Sequence, residues 1–589
     1  MKRIHLFPWF LCLLLLACGE SNNKKTNDSD VKNTPLTTAE TTLYYNGDII
    51  TMEGNQPQYA EAVVSKNGEI AFVGKLSDAQ KQFPAATKMD LQGKTLLPGF
   101  LDGHGHMANV GVVAQVANLL PPPDGPGANF ESIITTLNNW KNTAEGKSFI
   151  AKIGWIVGNG YDDSQLQEKD HPKADDLDKV STELPVLIIH QSGHLGVANH
   201  KALTLMGYIG NIENPKEGAL RRNADGSPNG VLEENAFFQV LFGKVIGNFD
   251  AEMMTKSIQL GQEEYAKNGY LTAQEGRASI SQVHALEDAA TKKELFIDVV
   301  AYPDMRVNGS YELLDNTNFY NHDHRYNNHF RIGGMKLTLD GSPQGKTAWL
   351  TQHYLIPPDG KTADYRGYPI MSDAEADKSV EDAFKNHWQI ICHTNGDAAI
   401  DQYLNAIEKA EAKYNYPDHR TVIIHGQTMR KDQIARAAKL KVDASLFPMH
   451  TFYWGDWHVQ SVLGHPRADY ISPTRDALNA GLNVTSHHDA PVTFPNSMRV
   501  LDATVNRVTR SGKILGPDQR LTPYEGLETL TSWAAHQYFE EKNKGTLTVG
   551  KVADLVILDK NPLKIDPMKI HDIKVLESIK EGNPVYTLK

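Results

Sequence analysis

Between residues 96 and 489 the chain carries eight short apolar runs, each ending near a polar or ionisable residue. They are LLPGFLDGHGH (96–106), GYLTAQE (269–275), LFIDVVAYP (295–303), RIGGMKLTLD (331–340), WQIICH (388–393), RTVIIHG (420–426), KVDASLFP (441–448) and NVTSHHD (483–489). Helix-like stretches such as MTKSIQLGQEEYAKNG (254–269) and DKSVEDAFKNH (377–387) lie between several of them. Strand alternating with helix implies a parallel sheet, and eight repeats predict an α/β fold closed into a (β/α)8 barrel of the TIM type. The gap between the first and second runs far exceeds an ordinary connection. It contains the strand-like ELPVLIIHQSGH (183–194), so residues 120–240 or thereabouts are expected to form an inserted subdomain over the barrel mouth.

Both ends of the chain are β-like. LYYNGDIITM, EAVVSKNGEIAFVG and KMDLQGKTLLPG read as strands separated by Asn-Gly turns, and GTLTVGKVADLVILD and IKVLESIKEGNPVYTLK repeat the pattern at the far end. These segments form either two separate caps or one small sandwich (42–97 with 540–589) beside a barrel domain of 98–539. With 589 residues the chain exceeds what one core supports, which agrees with a large domain plus a smaller one.

The first residues read as a targeting signal. Lys2 and Arg3 precede an apolar run from Leu6 to Leu16, too short to span a bilayer comfortably. Leu15-Leu16-Ala17-Cys18-Gly19 resembles a bacterial lipobox. That resemblance implies a signal peptide of 1–17 and acylation of Cys18. It also implies a cell-envelope protein held to the membrane by lipid alone, with Gly19 favouring the outer membrane. Residues 18–41 are polar, without apolar periodicity, and are expected to be a flexible tether. With Cys12 removed and Cys18 lipidated, only Cys392 remains, so no internal disulfide is expected. A net charge of −12 argues against a nucleic-acid partner.

The chemistry gathers at the C-terminal ends of the runs, where barrel active sites sit. His104 and His106 end the first run, Lys336 lies in the fourth, His393 and His425 end the fifth and sixth, and Asp489 ends the eighth. A lone histidine on a strand is ordinarily a satisfied core residue. Four at equivalent positions, with a lysine and an aspartate, point to a metal centre.

Pro98-Gly-Phe-Leu-Asp-Gly-His104-Gly-His106 resembles the strand-one motif PGxxDxHxH of the amidohydrolase superfamily. GGMKLTLDGS (333–342), HTNGDAAI (393–400), VIIHGQ (422–427), DAPV (489–492), GHLGVANHKAL (193–203), GSPNGVLEENA (226–236) and GTLTVGKVADLVILDKNP (545–562) resemble its family 3 branch, the YtcJ-like and formamide-deformylase-like proteins. The likeness runs from about residue 43 to 589. It implies the joined form of the terminal β segments, and two divalent ions, zinc by default. His104, His106 and Asp489 would hold one ion, His393 and His425 the other, and carboxylated Lys336 would bridge them. Structural and substrate-contacting roles for Lys336 stay open. Asp489 would act as general base toward metal-activated hydroxide and then as general acid to the leaving nitrogen. The implied reaction is hydrolysis of a non-peptide C–N bond in an amide, N-formyl compound or cyclic imide. A deaminase of the same superfamily, or a lipoprotein that only binds a small ligand, are the other readings. Family members often pair, so a homodimer is expected.

Lesser candidates follow. His194 matches a family position and is a candidate substrate contact. His487 departs from the usual Ser-Asp of the family, shares the face of Asp489, and is read as a pocket residue or extra ligand. Glu275 stands where the family often has aspartate. Asp340 and Ser342 read as supports of the ligands or as turn formers, Glu234 as a family position or a helix-terminal charge, and Cys392 as buried packing.

Overall fold

The computed structural model describes residues 41–589 except 217 and 359. The signal peptide, Cys18 and nearly all of the tether lie outside the described residues.

The barrel strands are β1 (Phe100–Leu101), β2 (Tyr270–Ala278), β3 (Asp298–Pro303), β4 (Phe330–Ile332, then Met335–Thr338), β5 (Ile390–Thr394), β6 (Val422–His425), β7 (Asp443–Leu446) and β8 (Val484–Ser486). All neighbours are parallel, as strand–helix alternation requires. The ladder does not close into one ring as expected. It forms two arcs, β1 to the first half of β4 and the second half of β4 to β8. They part at Gly333-Gly334. A Cβ on Gly334 would lie 2.2 Å from the Gln389 carbonyl oxygen, so the backbone passes too close there for any side chain. A single bridge, Asp304 to Lys336, spans the break. At the other seam β1 has only two paired residues, because the Asp102 carboxylate takes the His104 amide (3.0 Å) and turns the chain out of the ladder. Hydrogen bonds span this seam. Gln537 Nε2 donates to the Gly103 carbonyl (2.8 Å), Thr485 Oγ1 to Gln537 Oε1 (2.7 Å), and the Asp489 amide to the His104 carbonyl (3.1 Å).

Amphipathic helices cover the strands. In Asp397–Glu411, Ile400, Tyr403, Leu404 and Ile407 recur at helical spacing and are all buried. Each buried aliphatic side chain of this kind contributes roughly 1.5–3 kcal/mol. The helix Met107–Val113, which begins directly after His106, is pressed against Ala251–Lys267. A Cβ on Gly111 would meet the Ser257 carbonyl oxygen at 1.7 Å, so glycine permits the approach that fixes where His106 emerges.

The inserted segment has its own six-stranded sheet, in the order Gly218–Arg222, Pro228–Glu234, Leu195–Ala198, Val186–His190, Ile156–Tyr161, Ala117–Asn118. Two apolar clusters flank it, one around Leu187 and Phe237 and one around Leu137 and Ile188. It meets the helix Met449–Trp457, which follows β7, through Trp454 Nε1 donating to Asp162 Oδ2 (2.6 Å).

The chain ends join in a single mixed sheet, not a two-sheet sandwich. Its order is Asn583–Thr587, Val575–Lys580, Leu555–Leu558, Thr95–Pro98, Thr42–Ile50, Tyr59–Lys66, Glu69–Gly74, with Thr87–Asp90 also paired to Thr42–Ile50. The sheet curls until Glu69 bridges to Val552 around a core of Tyr44, Ile49, Val63, Leu96, Leu555 and Ile557, while Leu43, Ala62 and Val64 form a second cluster with Ala79 of the helix Leu76–Gln82. Asn67-Gly68 makes the expected turn, both with positive φ (52° and 85°). Asn46-Gly47 instead lies inside the strand Thr42–Ile50, where the pairing register shifts.

Candidate metal centre

Five of the six predicted side chains meet closely around Asp489. His106 Nε2 lies 3.2 Å and His104 Nε2 3.6 Å from Asp489 Oδ1, and His425 Nε2 lies 4.0 Å from its Oδ2. Lys336 Nζ is 3.1 Å from His104 Nε2. The sixth, His393, joins through Nδ1, 3.2 Å from His425 Nε2. Ligand atoms of His104, His425 and Asp489 all fall within 4.8 Å of one another. His104 and His106 do not share a strand face. Both lie beyond the ladder of β1, on the turn made by Asp102. Asp489 (φ 53°) and His425 (φ 75°) both adopt left-handed backbone, a costly conformation that gathers at functional sites.

The surroundings of His104 fix which of its nitrogens is free. The Asp102 carbonyl accepts from Tyr538 OH (2.5 Å), and Tyr538 OH accepts from Gln274 Nε2 (2.7 Å). Gln274 therefore presents Oε1 to His104 Nδ1 (2.5 Å), which must donate, leaving the His104 Nε2 lone pair facing Asp489 and Lys336. His393 Nε2 lies 3.2 Å from the Gly341 carbonyl and 3.1 Å from Asn395 Nδ2; in the tautomer that donates to the carbonyl, its Nδ1 lone pair faces His425. Asp489 Oδ1 is buried and has no hydrogen-bond partner among the described residues. Converging lone pairs and an orphaned carboxylate oxygen form a donor set that a divalent cation satisfies.

Burial, with the Lys336 charge nearby, holds the His104 and His393 imidazoles well below their ordinary pKa. Burial and the neighbouring rings do the same to His425. All three are thus neutral, as ligation requires. His106 goes the other way. Burial opposes its charge, but the Asp489 and Glu275 carboxylates outweigh that and raise it. Burial brings the Lys336 ammonium down to about 8.

The lesser candidates separate. His194 reaches the centre, its ring 5.9 Å from that of His393, and its Nδ1 is 3.1 Å from Glu234 Oε2. Glu234 precedes the helix Asn235–Val240 without capping it; it has φ 47°, and its Oε1 is buried and unpartnered. Asp340 accepts from the Asn395, Gly396 and Trp349 amides (2.9, 2.7 and 3.0 Å) and so pins the loop after His393; burial raises it to about 7. The Ser342 amide donates to Thr347 Oγ1 (3.0 Å). Glu275 accepts from the Ala108 amide (2.8 Å) and lies 3.8 Å from His106 Nδ1. His487 faces no opening. It is 0% exposed and sits behind His425. Cys392 is buried among core residues, and burial pushes its thiol up, which fits packing and not nucleophilic attack.

Sequence reasoning quoted Asp102 only as the acidic residue of the strand-one motif and gave no role to Gln274, His488 or Ser445. Asp102 also accepts from Tyr265 OH (3.1 Å) and lies 3.2 Å from His488 Nε2. Gln274 adjoins the flagged Glu275, and strand alternation was the signal that could have found it. A separate cleft of about 730 Å³, lined by Leu350, Arg430, Tyr470 and Gln519 among others, includes none of the six residues, and Arg430 there is already paired with Asp397 and Asp401.

The model of the amidohydrolase family matches residues 88–586. YtcJ of Bacillus subtilis (strain 168) is 23% identical over 560 residues, covering 92% of this chain and 99% of that protein. The N-substituted formamide deformylase of Arthrobacter pascens is 25% identical over 540 residues, covering 89% and 94%. In fold, the chain is similar to an uncharacterized metal-dependent hydrolase from Pyrococcus horikoshii OT3, with a TM-score of 0.69, 24% identity, and coverage of 90% of this chain and 99% of that one.

Proposed function

The chain belongs to the amidohydrolase family, and from that premise we propose that it is a metal-dependent hydrolase of a non-peptide C–N bond in an amide, N-formyl compound or cyclic imide. The observation that carries this reading is the gathering of three imidazoles around one buried carboxylate, His104 and His106 at Asp489 Oδ1 and His425 at Oδ2, with His393 joining through His425. The likeness to a formamide deformylase supports the choice of bond.

His104, His106, His393, His425 and Asp489 would hold divalent metal, zinc by default. When bound, the metal supplies a Lewis acid and lowers the pKa of water from 15.7 toward about 7. Asp489 Oδ1 accepts the proton of the attacking water and returns it to the leaving nitrogen, so the amide gives an acid and an amine. Lys336 is neutral often enough near pH 8 for its Nζ to add CO2. The ammonium first gives up one proton; the neutral Nζ then forms an N–C bond to CO2 and loses a second proton, leaving a carbamate anion that would add an oxygen ligand to the site. Protein equilibrated with 13C-bicarbonate should show a carbamate resonance that Lys336→Gln lacks; an identical spectrum from the variant would exclude carboxylation there.

His194, held by Glu234 and facing His393, is read as a substrate contact from the inserted subdomain. Losing one charge-assisted hydrogen bond costs about 1.5–3 kcal/mol. His194→Ala should therefore lower kcat/KM by roughly 10–100-fold at unchanged metal content. Unaltered kcat/KM on the best substrate would remove His194 from the site.

The reading as a whole is tested with metal-replete and chelator-treated protein on N-formyl amines, secondary amides, cyclic imides and ring amines. Metal-dependent amine or ring-opened acid from one of the first three classes is expected. Ammonia from ring amines alone would mean a deaminase, and tight binding without turnover a ligand-binding protein.

A further inference from the structure

We propose that His487 is a positioning residue which, through Ser445 and the Gly103 carbonyl, fixes the tautomer of His425 so that its Nε2 lone pair faces the metal centre. This rests on the metal-centre reading above.

Four groups form a buried line. His425 Nδ1 lies 3.1 Å from His487 Nε2, His487 Nδ1 lies 2.9 Å from Ser445 Oγ, and Ser445 Oγ lies 3.1 Å from the Gly103 carbonyl oxygen. His487 and Ser445 are completely enclosed and His425 nearly so; Gln537 Nε2 also donates to the Gly103 carbonyl (2.8 Å), and the hydroxyl and the two rings have only one another and that carbonyl as partners along the line. The carbonyl end sets the direction, because a carbonyl oxygen can only accept. Ser445 has one proton. Donated to Gly103, it leaves the hydroxyl oxygen to accept from His487 Nδ1–H. His487 Nε2 is then an acceptor and takes the proton of His425 Nδ1–H. The lone pair of His425 is left on Nε2, toward His393 Nδ1 and Asp489 Oδ2.

The reverse order is disfavoured at its far end, even though Gln537 would still donate to the Gly103 carbonyl. With His487 Nε2–H donating to His425, the Ser445 proton must turn to His487 Nδ1. Two oxygens, Ser445 Oγ and Gly103 O, would then face each other at 3.1 Å with no proton between them. His425 would carry its proton on Nε2 and could not ligate there. Phe447, its ring centroid 4.8 Å from that of His487, keeps the imidazole in place and offers no competing hydrogen bond.

Metal-ligating histidines ordinarily rest their second nitrogen on a carboxylate, a backbone carbonyl or water, and loss of such a partner typically costs 10–100-fold in metal affinity. Here a second histidine fills that place and relays to a carbonyl. It also gives a use to the departure from Ser-Asp at this position.

Zn2+ affinity by chelator competition, and the d–d absorption of Co2+-loaded protein, test the relay in the full chain. His487→Phe keeps the ring shape but cannot accept. It should weaken metal binding about 10–100-fold and shift the Co2+ bands. His487→Gln places an amide oxygen near the lost Nε2 and should recover most of the affinity. A packing role predicts the opposite order, since phenylalanine suits the contact with Phe447 better than an amide does. Ser445→Ala, a small change tolerated by the fold, should weaken binding in the same direction as His487→Phe. Equal affinity and equal bands in wild type, His487→Phe and Ser445→Ala would overturn the relay alone. Wild-type protein that binds no metal would overturn the underlying reading.

Discussion

Replacing Asp489 by asparagine is expected to lower kcat by about 10³-fold while leaving the melting temperature nearly unchanged. A positioned general acid–base contributes roughly 10²–10⁴-fold. Asparagine keeps the shape of the side chain but cannot take the proton from water or carry it to the leaving nitrogen. The fold should tolerate the change for a local reason. Asp489 sits at φ 53°, and asparagine is the non-glycine residue that best accepts left-handed backbone. The backbone amide at this position still donates to the His104 carbonyl, so the seam between β8 and β1 is kept. The asparagine side chain retains an oxygen toward the imidazoles, so metal content measured beside kcat separates lost ligation from lost proton transfer. A kcat within a factor of a few of wild type, with metal bound, would show that the proton is handled elsewhere.

His104, His106, His393, His425 and Asp489 were legible because each follows an apolar run whose packing requires no polar group, and Lys336 because it is a lone cation inside such a run. His393, the last residue but one of β5, and His425, the last of β6, lie one position apart in register, opposite Thr338 and Leu446. Less legible was how the ladder would be broken. Closure depends on how near two backbones pass, and at Gly333-Gly334 nothing in the local pattern distinguishes a kink from a continuous strand. The expected sandwich became one rolled sheet because strand patterning reports which face is apolar, not whether that face meets a second sheet or the curl of its own. The supports of the centre were hardest to see. Gln274, Ser445 and His487 act through bonds to residues 170, 342 and 62 positions away, and no local period encodes such pairings. Strand alternation puts His487 on the face of Asp489, as a pocket residue or an extra ligand. The chain leaves the ladder after Ser486, so alternation no longer applied.

Removing the Asp298 carboxylate should have the largest effect on stability, and at the opposite end of the barrel from the chemistry. Asp298 opens β3 and accepts from Lys544 Nζ (2.6 Å), Lys580 Nζ (2.5 Å) and His329 Nδ1 (2.8 Å). Lys580 also pairs with Asp554 (2.8 Å), and Lys544 with Glu540, which pairs in turn with Arg331 (3.1 Å). The cluster is almost wholly buried and ties the terminal sheet to the barrel floor. Breaking a buried pair from one side typically costs about 3–5 kcal/mol because an uncompensated charge remains. Here each ammonium keeps one carboxylate, so Asp298→Ala should cost about 3 kcal/mol. Lys378→Ala, which removes an exposed, solvent-screened pair with Asp382, should leave the urea midpoint nearly unchanged and serves as control. The pH dependence has a definite sign. Burial alone would raise Asp298, but Lys544 and Lys580 outweigh it and hold the carboxyl well below its usual range. Its stabilisation is therefore complete above the unfolded carboxylate pKa of about 3.9 and is lost as pH falls toward the folded value. Burial works against the Lys544 and Lys580 ammonium groups, yet the carboxylates raise both, so their share persists below about 10.4 and fades only as pH climbs past that. Urea midpoints of wild type and Asp298→Ala should differ by a constant amount from about pH 5 to 9 and converge below about pH 4. A difference that persisted undiminished in acid would mean that Asp298 stabilises the fold by packing and not by charge.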